Sequence, residues 1–203
     1  MKTSIVGFPR VGKLRELKFA SEKYFKGEID AKELESVAKE LRKEHYEAQK
    51  NAGIDYITSN DFSYYDIFLD TAVLFNIIPK RYTDLGLSEL DTYFAMARGY
   101  QGEKGDVKAL AMKKWFNTNY HYIVAEVEDD TEVKLAGDKL FRLFREAKEE
   151  GYNTKSVLTG PYTLLKLCRY TGNKTAADFK NAVVAAYKEL IAKAEKEGIT
   201  LLQ

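Results

Sequence analysis

One cysteine, two histidines and one tryptophan among 203 residues leave several chemistries without material. Cys168 alone closes no internal disulfide, which points to a reducing compartment. Cys168, His45 and His121 are too few to supply a Cys/His zinc set. No run of about 18 apolar residues occurs, so no transmembrane helix is expected, and Met1–Phe8 lacks the apolar core of a signal peptide. The expectation is a soluble, cytoplasmic protein. An excess of one charge is also missing: 32 Lys+Arg against 31 Asp+Glu give +1. The molecule as a whole is not built for polyanions, so any anion site has to be local. Solenoid repeats, low-complexity segments and linkers are absent as well.

What is present is an ordinary globular balance, 45% hydrophobic and 31% charged, on a chain long enough for one sizeable domain with a real core. Ser4–Phe8 reads as a short apolar strand, followed by a loop with Pro9, Arg10 and Gly12 and a helix from about Leu14. Strand, Gly/Pro turn and helix open a βαβ unit, and the loop lies at the strand end where α/β folds place their sites. Arg10, Lys13, Arg15 and Lys18 gather where the helix dipole is already positive, and each misplaced cation costs a few tenths of a kcal/mol, roughly. On a helix from Leu14, Arg15 and Lys18 share a face. A cluster that stability disfavours points to an anion that favours it; a solvated basic face is the alternative.

A capping-box pattern, Asp30 with Glu33, starts a second helix that Gly53 ends. His45 falls on its apolar stripe and is expected as a buried, hydrogen-bonded core residue. Residues 54–59 form a second strand ending at Asn60-Asp61, where Asp61 reads as a helix cap before a helix from Tyr64 to Phe75, or as a site carboxylate. Residues 79–87 are expected as loop. Ser88 with Asp91 caps a helix to about Arg98, and Gly99, Gly102 and Gly105 mark a polar, mobile connection. Met112–Tyr122 leads into a strand through Val127, with alternation placing Asn117, Asn119 and His121 on one face beside Lys113, Lys114 and Trp115, a row fit to line a cavity. A helix spans 134–150, a strand 156–159, and Pro161 opens a short helix holding a packed Cys168 thiol. Thr175 with Asp178 opens the last long helix, its core face made by Phe179, Val183, Tyr187, Leu190 and Ala194. Ile199–Leu202 begins a further strand. Strand–helix repetition predicts an α/β protein, a parallel sheet with helices outside and additional inserted helices. A strand begun at the terminus reads as the end of a fragment.

Gly7-Phe8-Pro9-Arg10-Val11-Gly12-Lys13 has the spacing of a phosphate-binding P-loop in the right context. Leu14, however, replaces the hydroxyl that holds Mg²⁺, and Pro9 removes a backbone donor. A nucleotide-binding protein is therefore the lesser reading. Lys114 beside Trp115 is also open to reading as a Schiff-base lysine.

Two long motifs, G-F-P-R-V-G-K-L-R-E-L-K and M-K-K-W-F-N-T-N-Y-H-Y, with G-I-D-Y-I-T-S-N-D-F-S-Y-Y-D and L-T-G-P-Y-T, resemble the amino-terminal half of the cobalamin-independent methionine synthase family, the 5-methyltetrahydropteroyltriglutamate–homocysteine methyltransferases. The resemblance runs over essentially the whole chain. It implies two (β/α)₈ TIM-type barrels in the complete enzyme. Residues 1–203 would be an amino-terminal fragment of the first, about four βα units plus the start of a fifth strand, with the catalytic carboxyl-terminal barrel absent. The resemblance also implies methyl transfer from folate to homocysteine, giving methionine, without cobalamin, at a zinc ion held by His, Cys, Glu and Cys of the missing part. By motif, Arg15, Glu16, Leu17, Lys18 and Lys114 are the residues expected to touch the folate's triglutamate tail; none is expected to be catalytic. Charge agrees for Arg15, Lys18 and Lys114, since a triglutamate is a string of carboxylates. Glu16 fits less easily and is expected to act through its backbone or by orienting a cation. Asn119 and His121 are weaker candidates for the same wall. The chain alone is expected to be inactive and to pair with another copy through its open sheet, or to serve as a non-enzymatic half-barrel interaction module. Neither nucleic acid nor membrane is an expected partner.

Overall fold

The computed structural model describes residues 1–203. Along the chain run α1 (Glu16–Phe25), α2 (Ala31–Asn51), β1 (Ile57–Ser59), α3 (Ile67–Leu74), the single turn α4 (Lys80–Thr83) and α5 (Glu89–Arg98). Then come β2 (Tyr100–Gly102), β3 (Gly105–Val107), β4 (Met112–Lys114), β5 (His121–Ile123) and β6 (Glu126–Val127). The chain closes with α6 (Lys139–Glu149), β7 (Thr154–Ser156), α7 (Pro161–Leu167), β8 (Arg169–Tyr170) and α8 (Ala176–Glu197). Two compact units result. One joins Met1–Tyr64 to Lys139–Leu158 and Glu197–Gln203; the other joins Tyr65–Asp138 to Thr159–Lys196.

The first unit is built on parallel backbone. β1 pairs with β7 in parallel, Ile57 opposite Thr154 and Ser59 opposite Ser156, and single parallel bridges add Ser4 to Tyr56 and Leu202 to Ser156. α2 forms because Asp30 and Glu33 cap each other's amides reciprocally, and it stops where Gly53 takes a φ of 72° and turns its amide back to Lys50. Leu17, Ala38, Leu41 and Phe62 make one buried cluster, and Tyr46, Ile57 and Ala147 another. Between α2 and α6 lies Arg42, 2% exposed, which donates from Nε and Nη2 to the two carboxylate oxygens of Glu146 at 2.6 and 2.7 Å and from Nη2 to Glu35 at 2.6 Å.

In the second unit Asp66 caps α3, Ser88 caps α5, and Phe75 stacks on Tyr187 of α8 with ring centroids 4.4 Å apart. β2 with β3 and β4 with β5 are antiparallel hairpins, while β6 pairs in parallel with β8. Phe179, Val183, Tyr187, Leu190 and Ala194 of α8 are all buried, as their spacing predicts.

The chain is a mixed α/β protein with parallel strands, its sheets small and not closed. Several boundaries differ from the sequence expectation. Ser4–Phe8 contributes one bridge rather than a strand, because the loop amide of Phe8 already turns to Asp61 at 2.6 Å. α1 starts at Glu16, since Arg15 is left-handed with a φ of 65°. α3 starts at Ile67, and its cap is Asp66 rather than Asp61. Residues 99–107, expected as a mobile connection, form the β2–β3 hairpin, which Gly99 and Gly105 permit at φ 81° and 139°. Met112–Val127 is not one strand: Phe116 turns left-handed at φ 51°, the Trp115 amide donates to the Tyr120 carbonyl at 2.7 Å, and the chain reverses. Asn117 and Asn119 therefore lie in a turn and form no row with His121. α6 begins at Lys139, since the amides of Lys134 and Ala136 are used by the carbonyls of Phe75 and Leu74.

Candidate functional site

In the first unit the site expected from sequence is the opening loop. Asp61 accepts from the Phe8 amide, and burial pushes the Asp61 carboxyl above its ordinary value, opposed by that amide and by Lys139. Glu16 folds back over the loop and accepts from the Leu14 amide at 3.0 Å. The amides of Arg15 and Leu17 are spent on the carbonyls of Gly12 and Val11. Gly12 has a φ of 84°, and a Cβ there would meet the Glu16 carboxylate at 2.0 Å. A phosphate cradle needs free N–H groups pointing inward. Here the amides of Phe8, Leu14, Arg15 and Leu17 serve the protein's own carboxylates and carbonyls, which counts against the P-loop reading.

Arg15 and Lys18 are exposed, and Lys18 faces Glu22 at 3.6 Å and lies over the Phe19 ring at 5.9 Å. Because Arg15 precedes the first helical residue in left-handed conformation, the shared-face argument for this pair does not hold. Leu17, 4% exposed, points into the cluster with Leu41 and Phe62, and its amide is bonded to the Val11 carbonyl, so its side chain packs under the loop rather than facing a ligand. Behind the loop a cleft of about 200 Å³ is lined by Phe8, Pro9, Gly12, Lys13, Glu44 and His45. His45 is buried as expected, but its ring is held by stacking on Phe8, centroids 4.5 Å apart. Burial, with Arg42 adding to it, pulls its pKa down from 6.5 to about 4, so the ring is neutral. Lys155, on β7, donates to Ser4 Oγ at 2.6 Å, to the Ile5 carbonyl at 2.8 Å and to the Gln203 side chain, and burial lowers its pKa.

In the second unit Lys114 ends β4, opposite His121, on an exposed hairpin. Its exposure withholds the desolvation that a Schiff-base lysine requires. Trp115 anchors the hairpin, packing edge-on to Tyr122 and Phe116 at 5.7 and 5.2 Å and tilted against Phe68 at 6.4 Å. His121 Nδ1 lies 3.1 Å from its near neighbour, the Asn119 carbonyl. The sequence reading missed Asp66, whose carboxylate reaches Tyr120 and the Ile123 amide; those partners lie 54 and 57 residues away, and no local pattern announces them. Cys168 packs as expected, and burial pushes its thiol up to about 12.

No three His, Cys, Asp or Glu side chains come together in a way that would hold a metal ion. His45 is committed to Phe8 and Cys168 is a buried thiol, so these residues do not fit a zinc site, and no step is routed through one.

A family model described as the N-terminal domain of cobalamin-independent synthase matches residues 2–203. Proteins named 5-methyltetrahydropteroyltriglutamate–homocysteine methyltransferase from Streptococcus pneumoniae serotype 19F (strain G54) and Streptococcus suis (strain 05ZYH33) are each 57% identical over all 203 residues. One from Streptococcus thermophilus (strain ATCC BAA-491 / LMD-9) is 54% identical over the same span. The chain covers 27% of the length of these relatives. With a family model spanning essentially every residue and relatives above half identity, the chain belongs to the cobalamin-independent synthase family, matching its N-terminal domain.

Proposed function

We propose that this chain is a folate-tail-binding part of a methyltransferase that moves a methyl group from 5-methyltetrahydropteroyltri-L-glutamate to L-homocysteine, forming methionine. Relatives carrying that name match it from end to end, and its exposed cations suit a polycarboxylate. In this reading residues 1–203 belong to an amino-terminal (β/α)₈ domain. The row of parallel segments at Ser4, β1, β7 and Leu202 supports a partial barrel wall. Arg15, Lys18 and Lys114 donate charge-assisted hydrogen bonds to tail carboxylates. Leu17 takes part by packing beneath the segment that carries Arg15 and Lys18. Glu16 holds the loop that carries Arg15, by accepting from Leu14, and so shapes the site without touching an anion. The zinc that activates homocysteine, and the carboxyl-terminal barrel that holds it, are supplied by polypeptide outside this chain; no cobalamin takes part. The outer members of the parallel row, each held by a single bridge, also offer backbone for pairing with a second copy, which light scattering would detect as a dimer.

The observation that carries the reading is an exposed Arg15 and Lys18 beside a loop in which the Phe8, Leu14, Arg15 and Leu17 amides are already bonded within the protein. In this reading an anion there is held by side chains. Calorimetry of the chain with pteroyltri-γ-glutamate and with the monoglutamate tests it: the longer tail is expected to bind more tightly. Arg15→Ala with Lys18→Ala should weaken tail binding by about 1–3 kcal/mol per charged hydrogen bond lost. Equal affinity for both ligands, or an unchanged value in the double variant, would refute it. The chain alone is expected to show no methyl transfer.

A further inference from the structure

Asp66 carries more bonds than a helix cap needs. Oδ2 accepts from the Leu69 amide at 2.9 Å, which is the cap, and also from the Ile123 amide in β5 at 3.1 Å. Oδ1 accepts from the Tyr120 hydroxyl at 2.7 Å, at the far end of the turn that β4 enters. Its own amide and that of Tyr65 donate to the Tyr93 hydroxyl, both at 3.1 Å. The residue is 1% exposed, and the partners of its carboxylate are all neutral donors. A buried carboxylate without a bonded cation is expensive, and Ser, Thr or Asn would cap the helix without that penalty. The two extra carboxylate bonds both serve the β4–β5 hairpin, whose other strand ends in Lys114. That hairpin projects Lys113, Lys114 and Phe116 into solvent, and where the lysines stand is set by the packed Trp115 and Tyr122 rings together with the bonds to Asp66.

We propose that Asp66 is the positioning residue for the Lys114 hairpin, clamping it through Tyr120 and the Ile123 amide so that Lys114 meets a tail carboxylate at a fixed distance. This rests on the tail-binding reading above and deepens it. Asp66 touches no ligand. It converts a flexible cation into a pre-placed one, which removes the ordering entropy that binding would otherwise spend.

Tyr120→Phe removes one clamp bond while leaving the cap and the aromatic packing, so it separates positioning from folding. Trp115, the sole tryptophan, sits on the hairpin and reports its placement directly. Expected for Tyr120→Phe are a single cooperative melting transition at a somewhat lower temperature, because Asp66 Oδ1 loses its donor, a shifted Trp115 emission, and affinity for pteroyltri-γ-glutamate weakened by about three- to tenfold. Affinity for the monoglutamate should stay constant. Asp66→Asn should weaken the triglutamate at least as much. Lys114→Ala separates the two ideas. If Lys114→Ala weakens triglutamate binding and Tyr120→Phe does not, the clamp is refuted and the tail-binding reading stands. If neither variant changes triglutamate affinity, Lys114 is no tail ligand and both fail at this hairpin. Unaltered Trp115 emission in Tyr120→Phe also overturns the clamp.

Discussion

At the scale of single residues, His45 shows how far burial can be read from pattern and where the reading stops. Its place on the apolar stripe of α2 foretells that it is buried. Its partner, the Phe8 ring, comes from a loop 37 positions earlier in the chain, and no spacing in α2 points there. The consequence is measurable. The ring's pKa falls from 6.5 to about 4 on folding, so the unfolded chain takes up a proton that the folded chain refuses. Stability from this group is complete above pH 6.5 and drains away as pH drops toward 4, by about 2–3 kcal/mol. Asp61 and Asp66, pushed up by burial, act in the opposite sense, which makes the comparison with a variant necessary. His45→Phe should flatten the fall in melting temperature between pH 6.5 and 4.5; an unaltered profile would mean the ring is not neutral and packed. Glu16 was legible as a motif member but not as a loop fastener, because its bond to the Leu14 amide depends on a left-handed Arg15 that nothing in the residue type requires.

At the scale of elements, the long helices and their caps were legible because their signals are local. Asp30 with Glu33, Ser88 with Asp91 and Thr175 with Asp178 each lie within one turn; the first two cap their helices through the side chain, and in the third the Asp178 carboxylate accepts from the Thr175 amide and hydroxyl. The hairpins were not. Asn117 to Tyr122 alternates well enough to pass for a strand, and the reversal at Phe116 is decided by rings that meet across the turn. The join between α2 and α6 is equally non-local. Arg42 lies over Phe62 at 5.2 Å and binds Glu35 and Glu146, with Tyr64 also donating to Glu35. Burial alone would raise the Glu35 carboxyl, but Arg42, the Tyr64 hydroxyl and Arg142 bring it below its ordinary value. That share of stability holds above the unfolded carboxylate pKa and is lost as pH falls through the folded one. Arg42→Ala strands Glu146 and should cost about 3–5 kcal/mol in denaturant unfolding. Arg42→Met with Glu146→Leu should recover much of it, and a large residual loss in the pair would show that geometry rather than uncompensated charge sets the penalty.

For the whole molecule, the near-balance of charge separates local attraction from general stickiness. With a net charge of +1, the chain has no long-range field to gather polyanions, so the contacts proposed for Arg15, Lys18 and Lys114 would work at short range. Titration of pteroyltri-γ-glutamate at rising salt should weaken binding, because exposed pairs are screened beyond roughly 8–10 Å, while heparin should not be retained at physiological salt. Retention would indicate a basic surface without tail specificity. Parallel pairing and family membership were legible at this scale, the first from strand–helix order and the second from motifs that run the length of the chain. The division into two compact units was not, since Tyr64 and Tyr65 fall in different units with no change of composition between them.

The carboxylate lying over Gly12 has one more implication. With Glu16 lying over Gly12 and holding the Leu14 amide, an inorganic phosphate or sulfate approaching the loop meets a carboxylate of its own sign. Under the proposed reading, a seat filled in advance would favour a ligand long enough to reach several side chains at once.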